Sequence, residues 1–324
     1  MLTLMTLLSE PVQVLVAINV LLTLSLLFPF AAGVWSLGLP GFMAVGAYTS
    51  GYATTVLGWP ISAALAAGML TGMVSTLPVG LLTLRTRGVY LSIATLAAAE
   101  LINLFFSHFA PTGATMGLAG MPFLSAKVII SAAGAVLAVA LWIFNSRLGK
   151  AMLAAGSDPV VASCSGLNVP ALQLGALALS GVFAGLAGGL FAHYYSFISP
   201  ANFSATRVVD ILMFLVVGGI TPLGAVAGSA LLTLIPQGVA GLEKWAPAIY
   251  GVVVMLTMAF AADGMLPKNR LAGWRGALHR GGASPALPAA SSAGDSPAVT
   301  PVVPVEPVVP TAAVASRPAR PATL

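Results

Sequence analysis

Long apolar segments separated by short polar ones make up most of this chain. Residues 128–144 and 171–190 are close to the ~20 residues that a helix needs to cross a bilayer, and they lack the strict alternation of barrel strands. The pattern therefore predicts transmembrane helices. We assign spans to residues 11–33, 60–84, 90–106, 128–145 and 171–195, with residues 250–261 belonging to a last span.

Two stretches of the apolar pattern are interrupted by glycine and proline. Residues 36–58 are rich in small residues and contain Pro40, which permits a broken or partly re-entrant segment. Residues 208–217 and 223–235 are each shorter than a span, and they can form either a re-entrant helical hairpin or two short spans. We therefore expect about eight spans, or six to seven together with re-entrant segments.

Glycines are concentrated in the span at 171–195. Small residues at one-turn spacing allow helices in lipid to approach closely, so this span is predicted to lie inside the bundle. The glycines concerned are Gly181, Gly185, Gly188 and Gly189.

Charged residues make up only 6% of the 324 residues, whereas hydrophobic residues make up 58% and the mean hydropathy is +1.00. A soluble domain devotes about 25% of its residues to charge in order to cover its surface. A soluble protein is therefore excluded, and the predicted fold class is an all-α, polytopic transmembrane helical bundle.

Basic residues lie at the ends of apolar segments, where the positive-inside rule assigns them to the cytoplasm. They include Arg85 with Arg87, Arg147 with Lys150, and a cluster at 268–280. This placement accounts for the net charge of +5 without nucleic acid as a partner, and it predicts a cytoplasmic C-terminus.

Composition divides the chain into three parts. We predict a transmembrane domain at 1–265, a basic cytoplasmic segment at 266–280, and a disordered tail rich in Pro, Ala and Val at 281–324.

The polar loop at 147–170 is predicted to be cytoplasmic and to contain two short helices. Asp158 is a suitable N-cap for the second helix, and Pro159 suits its first turn. Short surface helices of this kind can dock into a groove on a soluble subunit, although an ordinary interfacial loop is compatible with the same residues. The chain has no phosphate-binding P-loop motif, so ATP-driven transport requires another subunit to hydrolyse the nucleotide.

Ionisable residues inside the apolar segments are candidates for a translocation route, because each is costly in lipid. Glu100 either lines such a route or is a carboxylate near the outer interface paired with Asn103. Arg207 and Asp210 can pair on one helix face, which we interpret as a structural anchor rather than a ligand contact. His193 is interpreted as part of an aromatic interfacial belt, and no metal site is predicted.

Four motifs occur in order along the chain. They are Ser36-Leu-Gly38 with Gly46-Ala-Tyr48; Leu84-Arg85-Thr-Arg87-Gly88-Val-Tyr90-Leu-Ser-Ile-Ala-Thr95-Leu; Asn145-Ser-Arg147-Leu-Gly149-Lys150-Ala151 followed by Gly166-Leu-Asn168; and Val217-Gly218-Gly219-Ile-Thr-Pro-Leu-Gly224-Ala. Over residues 33–265 the chain resembles permeases of branched-chain amino acid ABC importers, the LivM type. It departs from the family pattern at Leu39, at Met116 and in a coupling loop whose acidic cluster is reduced to Asp158.

The resemblance implies a permease subunit that imports branched-chain or related small amino acids, with urea or short amides as alternative substrates. It implies two ATP-binding cassette subunits that hydrolyse ATP, a second similar permease and an external or periplasmic substrate-binding protein, at a bacterial inner membrane. No cofactor is expected on the chain itself. The residues implied in coupling to the ATPase are Arg147, Gly149, Lys150, Asp158, Gly166 and Asn168, and those implied in the translocation path are Gly46, Tyr48, Glu100, Gly218, Gly219 and Gly224.

Two other functional classes remain compatible with the apolar pattern. A stand-alone secondary carrier or channel for small polar solutes needs coupling carboxylates or a polar pore, and Glu100 and Asp210 are the only support for it. An intramembrane enzyme needs paired catalytic residues that the sequence does not offer. We therefore expect a transport subunit that is not an enzyme.

Overall fold

The computed structural model describes residues 9–83, 88–238 and 246–260, and these residues are almost entirely helical. The predictions for 266–280 and 281–324, and the basic residues Arg85 and Arg87, lie outside the described residues. The described α-helices are α1 Glu10–Ala31, α2 Leu39–Thr55, α3 Ile61–Thr83, α4 Val89–His108, α5 Ala126–Asn145, α6 Arg147–Ser157, α7 Pro159–Cys164, α8 Val169–Tyr195, α9 Ala205–Gly218, α10 Pro222–Gly238 and α11 Ala246–Phe260.

Six helical segments of the described residues are long and apolar enough to cross a membrane, judged by length and composition. They are 10–31, 61–81, 89–108, 126–145, 169–195 and 200–218, the last of which combines α9 with the 3-10 turn Pro200–Phe203. The prediction of an all-α, polytopic transmembrane bundle is therefore confirmed.

Helix α1 forms the centre of the bundle. Its apolar residues are spread around the whole helix, and the polar residues Asn19, Thr23 and Ser25 are buried among them. Of its most apolar 18-residue stretch, 89% is buried, compared with 22% for α4. Its neighbours are α5, α8, α9 and α10. The hydroxyl of Ser25 donates to the carbonyl of Ser180 at 2.7 Å, which fixes the level of α1 against α8.

Glycines bring α8 into contact with α2 and α3 at the level of the main chain. A Cβ added to Gly46 would lie 2.3 Å from Cα of Gly185, and one added to Gly185 would lie 2.3 Å from the carbonyl oxygen of Gly68. A Cβ on Gly188 would lie 2.1 Å from the carbonyl oxygen of Met43. The prediction that the glycines of 171–195 pack closely inside the bundle is therefore confirmed.

Helix α2 starts inside the bundle, after an irregular segment at 32–38. The backbone amide of Leu37 donates to Oγ1 of Thr95 at 2.9 Å, six residues after the start of α4. Six residues of helix correspond to ~9 Å, so Leu37, two residues before α2, lies about that far along α4 from its first residue, Val89. Residues 39–55 of the segment 36–58 form one continuous helix, so the irregular backbone lies before α2 and not within it.

Helices α9 and α10 form an antiparallel hairpin. A Cβ on Gly218 would lie 2.1 Å from the carbonyl oxygen of Gly224, and one on Gly228 would lie 2.3 Å from that of Phe214. Gly219 has φ +88°, a conformation that favours glycine, and it makes the turn. Because the segment 200–218 is long enough to cross a membrane, the hairpin fits two short spans better than a shallow re-entrant loop.

The glycine contacts lead to a prediction about folding. We expect Gly185→Ala to lower the free energy of unfolding by ~2 kcal/mol or more, because the added methyl group must displace the main chain of α2 or α3. The measurement is the thermal unfolding midpoint of the purified full-length chain.

Gly175→Ala in the same helix is the matched control. A Cβ at Gly175 meets nothing within 4 Å, so alanine there is expected to be neutral or stabilising through its higher helix propensity. Equal stability of the two variants would contradict the close contact at Gly185.

Candidate functional site

The predicted coupling residues lie on two short helices and their caps. Ser146 precedes α6, and its hydroxyl accepts from the amide of Gly149 at 3.5 Å. The carboxylate of Asp158 accepts from the amides of Val160 and Val161 at 2.9 and 3.1 Å, and Pro159 is the first residue of α7. The predicted cap and both predicted helices are therefore present.

The same segment is joined to α8 by Gly166 and Asn168. Gly166 has φ +80°, and Oδ1 of Asn168 accepts from the amide of Ala171 at 3.2 Å at the start of α8. These two residues set the direction in which the chain leaves α7 and enters the bundle.

Helices α6 and α7 have distinct inner and outer faces. Met152, Ala155 and Ala162 are buried against the bundle, whereas Val160 and Val161 are 66% and 61% exposed. The basic side chains of Arg147 and Lys150 are exposed as well. The outer face therefore combines apolar and charged groups.

The end of α6 contacts the end of α1 directly, a contact that the sequence analysis missed. A Cβ on Gly156 would lie 2.4 Å from the carbonyl oxygen of Ala31, and one on Gly33 would lie 3.0 Å from Cα of Gly156. From α8, Nε2 of Gln173 donates to the carbonyl of Ala32 at 3.5 Å. Helix α6 thus rests on the irregular segment that leads into α2.

Tyr48 lines a cavity of about 380 Å³ at the end of α2 that is remote from α6. Its ring stacks on Phe106 with centroids 4.3 Å apart, and its side chain is 1% exposed. Its hydroxyl is buried and has no hydrogen-bond partner among the described residues. The rest of the lining is largely apolar and aromatic, with hydroxyl groups from Thr49, Tyr52 and Thr112.

The glycines of the predicted translocation path occupy packing positions. Gly46 lies against Gly185, and Gly218 and Gly224 lie against each other at the turn of the α9–α10 hairpin, next to Gly219. Oγ1 of Thr221 accepts from the amide of Gly224 at 3.1 Å, and Thr221 is itself buried. The structure thus brings Gly218, Gly219 and Gly224 together, but it places Gly46 and Tyr48 in a different part of the bundle.

Glu100 is exposed on the outer surface of α4. It lies near the middle of this 20-residue helix, and no hydrogen bond joins it to Asn103 in the described structure. It does not line the Tyr48 cavity, which α4 borders through Phe106.

The pairing expected of Arg207 and Asp210 is not observed, and the interpretation of His193 is wrong. Arg207 and Asp210 share a helix face, but no ion pair joins them in the described part of the chain, and Nε and Nη2 of Arg207 have no hydrogen-bond partner there. His193 is fully buried, with Nε2 3.5 Å from Oγ of Ser50, so it does not belong to an interfacial belt. Among the described residues no group of three His, Cys, Asp or Glu side chains can hold a metal ion.

Comparison with known proteins identifies the family to which this helical bundle belongs. Residues 10–262 match the family described as the permease component of branched-chain amino acid transport systems. The chain belongs to this permease family. The family resemblance drawn from the four motifs is confirmed, and the chain is a multi-pass membrane protein.

Two relatives are the high-affinity branched-chain amino acid transport system permease proteins LivM of Salmonella typhimurium and Escherichia coli. Each is 27% identical to this chain over 74% of the chain and 65% of the relative. A probable branched-chain amino acid transport permease protein LivH of Methanocaldococcus jannaschii is 29% identical over 58% of this chain and 60% of its own. The match thus spans just under two thirds of the LivM proteins, and no solved structure matches the chain.

The hydroxyl of Tyr48, which has no hydrogen-bond partner among the described residues, leads to a prediction about stability. We expect Tyr48→Phe to keep or raise the thermal unfolding midpoint, because a buried hydroxyl without a partner costs ~1–3 kcal/mol.

Tyr52→Phe is the control, since Tyr52 lines the same cavity but is only half-buried. A lower unfolding midpoint for Tyr48→Phe than for Tyr52→Phe would contradict an unsatisfied hydroxyl at Tyr48.

Proposed function

We propose that this chain is the permease subunit of an ATP-driven importer that translocates branched-chain or related small amino acids across a bacterial inner membrane. It acts with two ATP-binding cassette subunits, a second similar permease and an external substrate-binding protein. The C-terminus is cytoplasmic, and the chain itself binds no nucleotide and no cofactor. The observation that carries the proposal is the arrangement of α6 and α7.

The outer face of α6 and α7 supports docking of an ATPase subunit. Leu148, Val160 and Val161 are exposed beside Arg147 and Lys150, and the inner face of both helices is buried on the bundle. A short helix with apolar anchors and a charged rim is suited to a groove on a soluble partner. Arg147, Gly149, Lys150, Asp158, Gly166 and Asn168 either belong to this surface or fix its geometry.

The contact of Gly156 with Ala31 and Gly33 supports transmission of movement into the bundle. These atoms are at main-chain contact distance, so a displacement of α6 is passed to the end of α1 and to the irregular segment before α2. Helix α2 carries Tyr48 and has the cavity at its other end. The α1–α2 connection is therefore a direct mechanical link between the coupling surface and the cavity.

Two further observations support the partners and the substrate. Glu100 is exposed near the middle of α4, where facing lipid costs roughly 3 kcal/mol, so a neighbouring subunit that covers it is favoured. The cavity at Tyr48 is lined by aromatic, apolar and hydroxyl-bearing side chains without a charged group. Such a lining suits a small solute with an apolar side chain.

Asp158 provides the test of coupling. We expect Asp158→Lys to reduce ATP-dependent uptake of L-leucine at least tenfold, because it removes the cap of α7 and reverses the charge at the centre of the proposed docking surface. The uptake is measured in vesicles that contain the complete transporter, together with the amount of chain inserted in the membrane.

Asp158→Asn is the matched control, since asparagine caps a helix as well as aspartate does. It is expected to retain most of the uptake. Normal uptake by Asp158→Lys would contradict the docking surface, and uptake by the chain alone under an ion gradient would favour a secondary carrier instead.

Gly156 tests the mechanical link separately from docking. We expect Gly156→Val to leave the ATPase subunits bound, as measured by co-purification, but to lower L-leucine uptake at least tenfold, because the side chain separates α6 from Ala31. Retained uptake would show that α6 transmits movement by another contact.

A further inference from the structure

A small polar cavity lies between α1, α9, α10 and α11, apart from the Tyr48 cavity. Its volume is about 120 Å³. Six of its lining residues carry hydrogen-bonding or charged groups: Asn19, Arg207, Asp210, Thr233, Gln237 and Tyr250. It lies in the half of the bundle remote from α6, because α9 begins where α8 ends on that side.

Arg207 supplies an unsatisfied cation to this cavity. Its Nε and Nη2 atoms are buried, and they have no hydrogen-bond partner among the described residues. The ring of Phe191 lies 5.9 Å from the guanidinium carbon, which stabilises the positive charge but leaves the N–H groups unsatisfied. A buried guanidinium with open donors is suited to a carboxylate, which it can bind through two parallel hydrogen bonds.

Asp210 supplies the opposite charge. It lines the same cavity one helical turn from Arg207, yet no ion pair closes the space between the two side chains in the described structure. The cavity therefore presents separate positive and negative groups with a net charge of zero. A solute with both charges is complementary to it, whereas a simple anion or cation meets one group of like charge.

The remaining lining fits the same kind of solute. Nδ2 of Asn19 donates to Oγ1 of Thr233 at 3.0 Å, which fixes the amide and leaves its oxygen as an acceptor. The cavity also has apolar walls from Leu15, Ile211 and Phe214. Its volume corresponds to roughly four water molecules, enough for a charged head group but not for a large side chain.

We propose that this cavity is a binding site for the ammonium and carboxylate groups of a zwitterionic amino acid with an apolar side chain. Arg207 binds the carboxylate, Asp210 binds the ammonium group, and the side chain lies at the apolar walls. The proposal deepens the proposed function and rests on it for the choice of an amino acid. It gives the permease a contact with the two groups that all amino acids share.

The test compares three solutes that differ only in their charged groups. They are L-leucine, leucinol, which lacks the carboxylate, and 4-methylpentanoate, which lacks the ammonium group. Binding is measured on the full-length chain, purified with its accompanying subunits, in nanodiscs without nucleotide or binding protein. Phosphatidylglycerol nanodiscs are used because this lipid has no ammonium group to occupy the cavity.

We expect Arg207→Gln and Asp210→Asn each to weaken L-leucine binding at least tenfold. Asp210→Asn should bind 4-methylpentanoate at least as tightly as the parent, because it removes a like charge. Arg207→Gln should bind leucinol at least as tightly as the parent for the same reason. A purely structural role does not produce this crossed pattern.

The double variant Arg207→Gln with Asp210→Asn keeps the test valid if a single unpaired charge prevents folding. It is expected to fold and to bind L-leucine at least tenfold more weakly. If the double variant binds L-leucine with an affinity within twofold of the parent, the proposal is overturned in favour of a water-bridged ion pair. Equal weakening of the binding of all three solutes in the single variants would overturn it as well. Thr257→Val in α11 is the control, since its hydroxyl donates to Val253 of the same helix and does not line the cavity.

The binding and uptake measurements distinguish an error in this site from an error in the proposed function. ATP-dependent L-leucine uptake with no crossed pattern overturns only the site. The crossed pattern without ATP-dependent uptake overturns the importer and leaves the site in place.

Discussion

Main-chain contact between helices is the constraint on which this bundle depends. Where α8 meets α2 and α3, glycines remove the side chains, so that backbone atoms of neighbouring helices lie at van der Waals distance. In lipid the hydrophobic effect does not drive helices together, so close packing must supply the association. The contact of Gly46 with Gly185 places α2, which carries Tyr48, directly against α8.

The features that were predictable from sequence are local ones. Asp158 and Pro159 are adjacent in sequence and indicate the start of α7 by themselves. The structure has the Asp158 cap and helix α7. The glycines of α8 were predictable as packing residues because their spacing places them on neighbouring turns. The family could be inferred because its motifs preserve such local patterns in order.

The features that were missed depend on contacts between distant residues. Neither Gly33 nor Gly156 is distinctive by itself, and their contact joins segments more than a hundred residues apart. The interfacial interpretation of His193 was wrong because a ring near a helix end can face either the interface or the bundle. Here the ring faces Ser50 of α2 inside the bundle. The polar residues Asn19, Thr23 and Ser25 inside the first apolar span were the one available signal that this span is central.

The irregular segment before α2 has a consequence for how the protein is made. Its main-chain groups are satisfied by Thr95, which accepts from Leu37, and by Ser92, which donates to the carbonyl of Trp35 at 2.7 Å. These partners come 58 and 57 residues later in the chain, on α4. Since unsatisfied backbone groups are not tolerated in lipid, α2 cannot take its final position until the ribosome has delivered α4 to the membrane. The two hydrogen bonds that order this segment therefore form only after α4 has been synthesised.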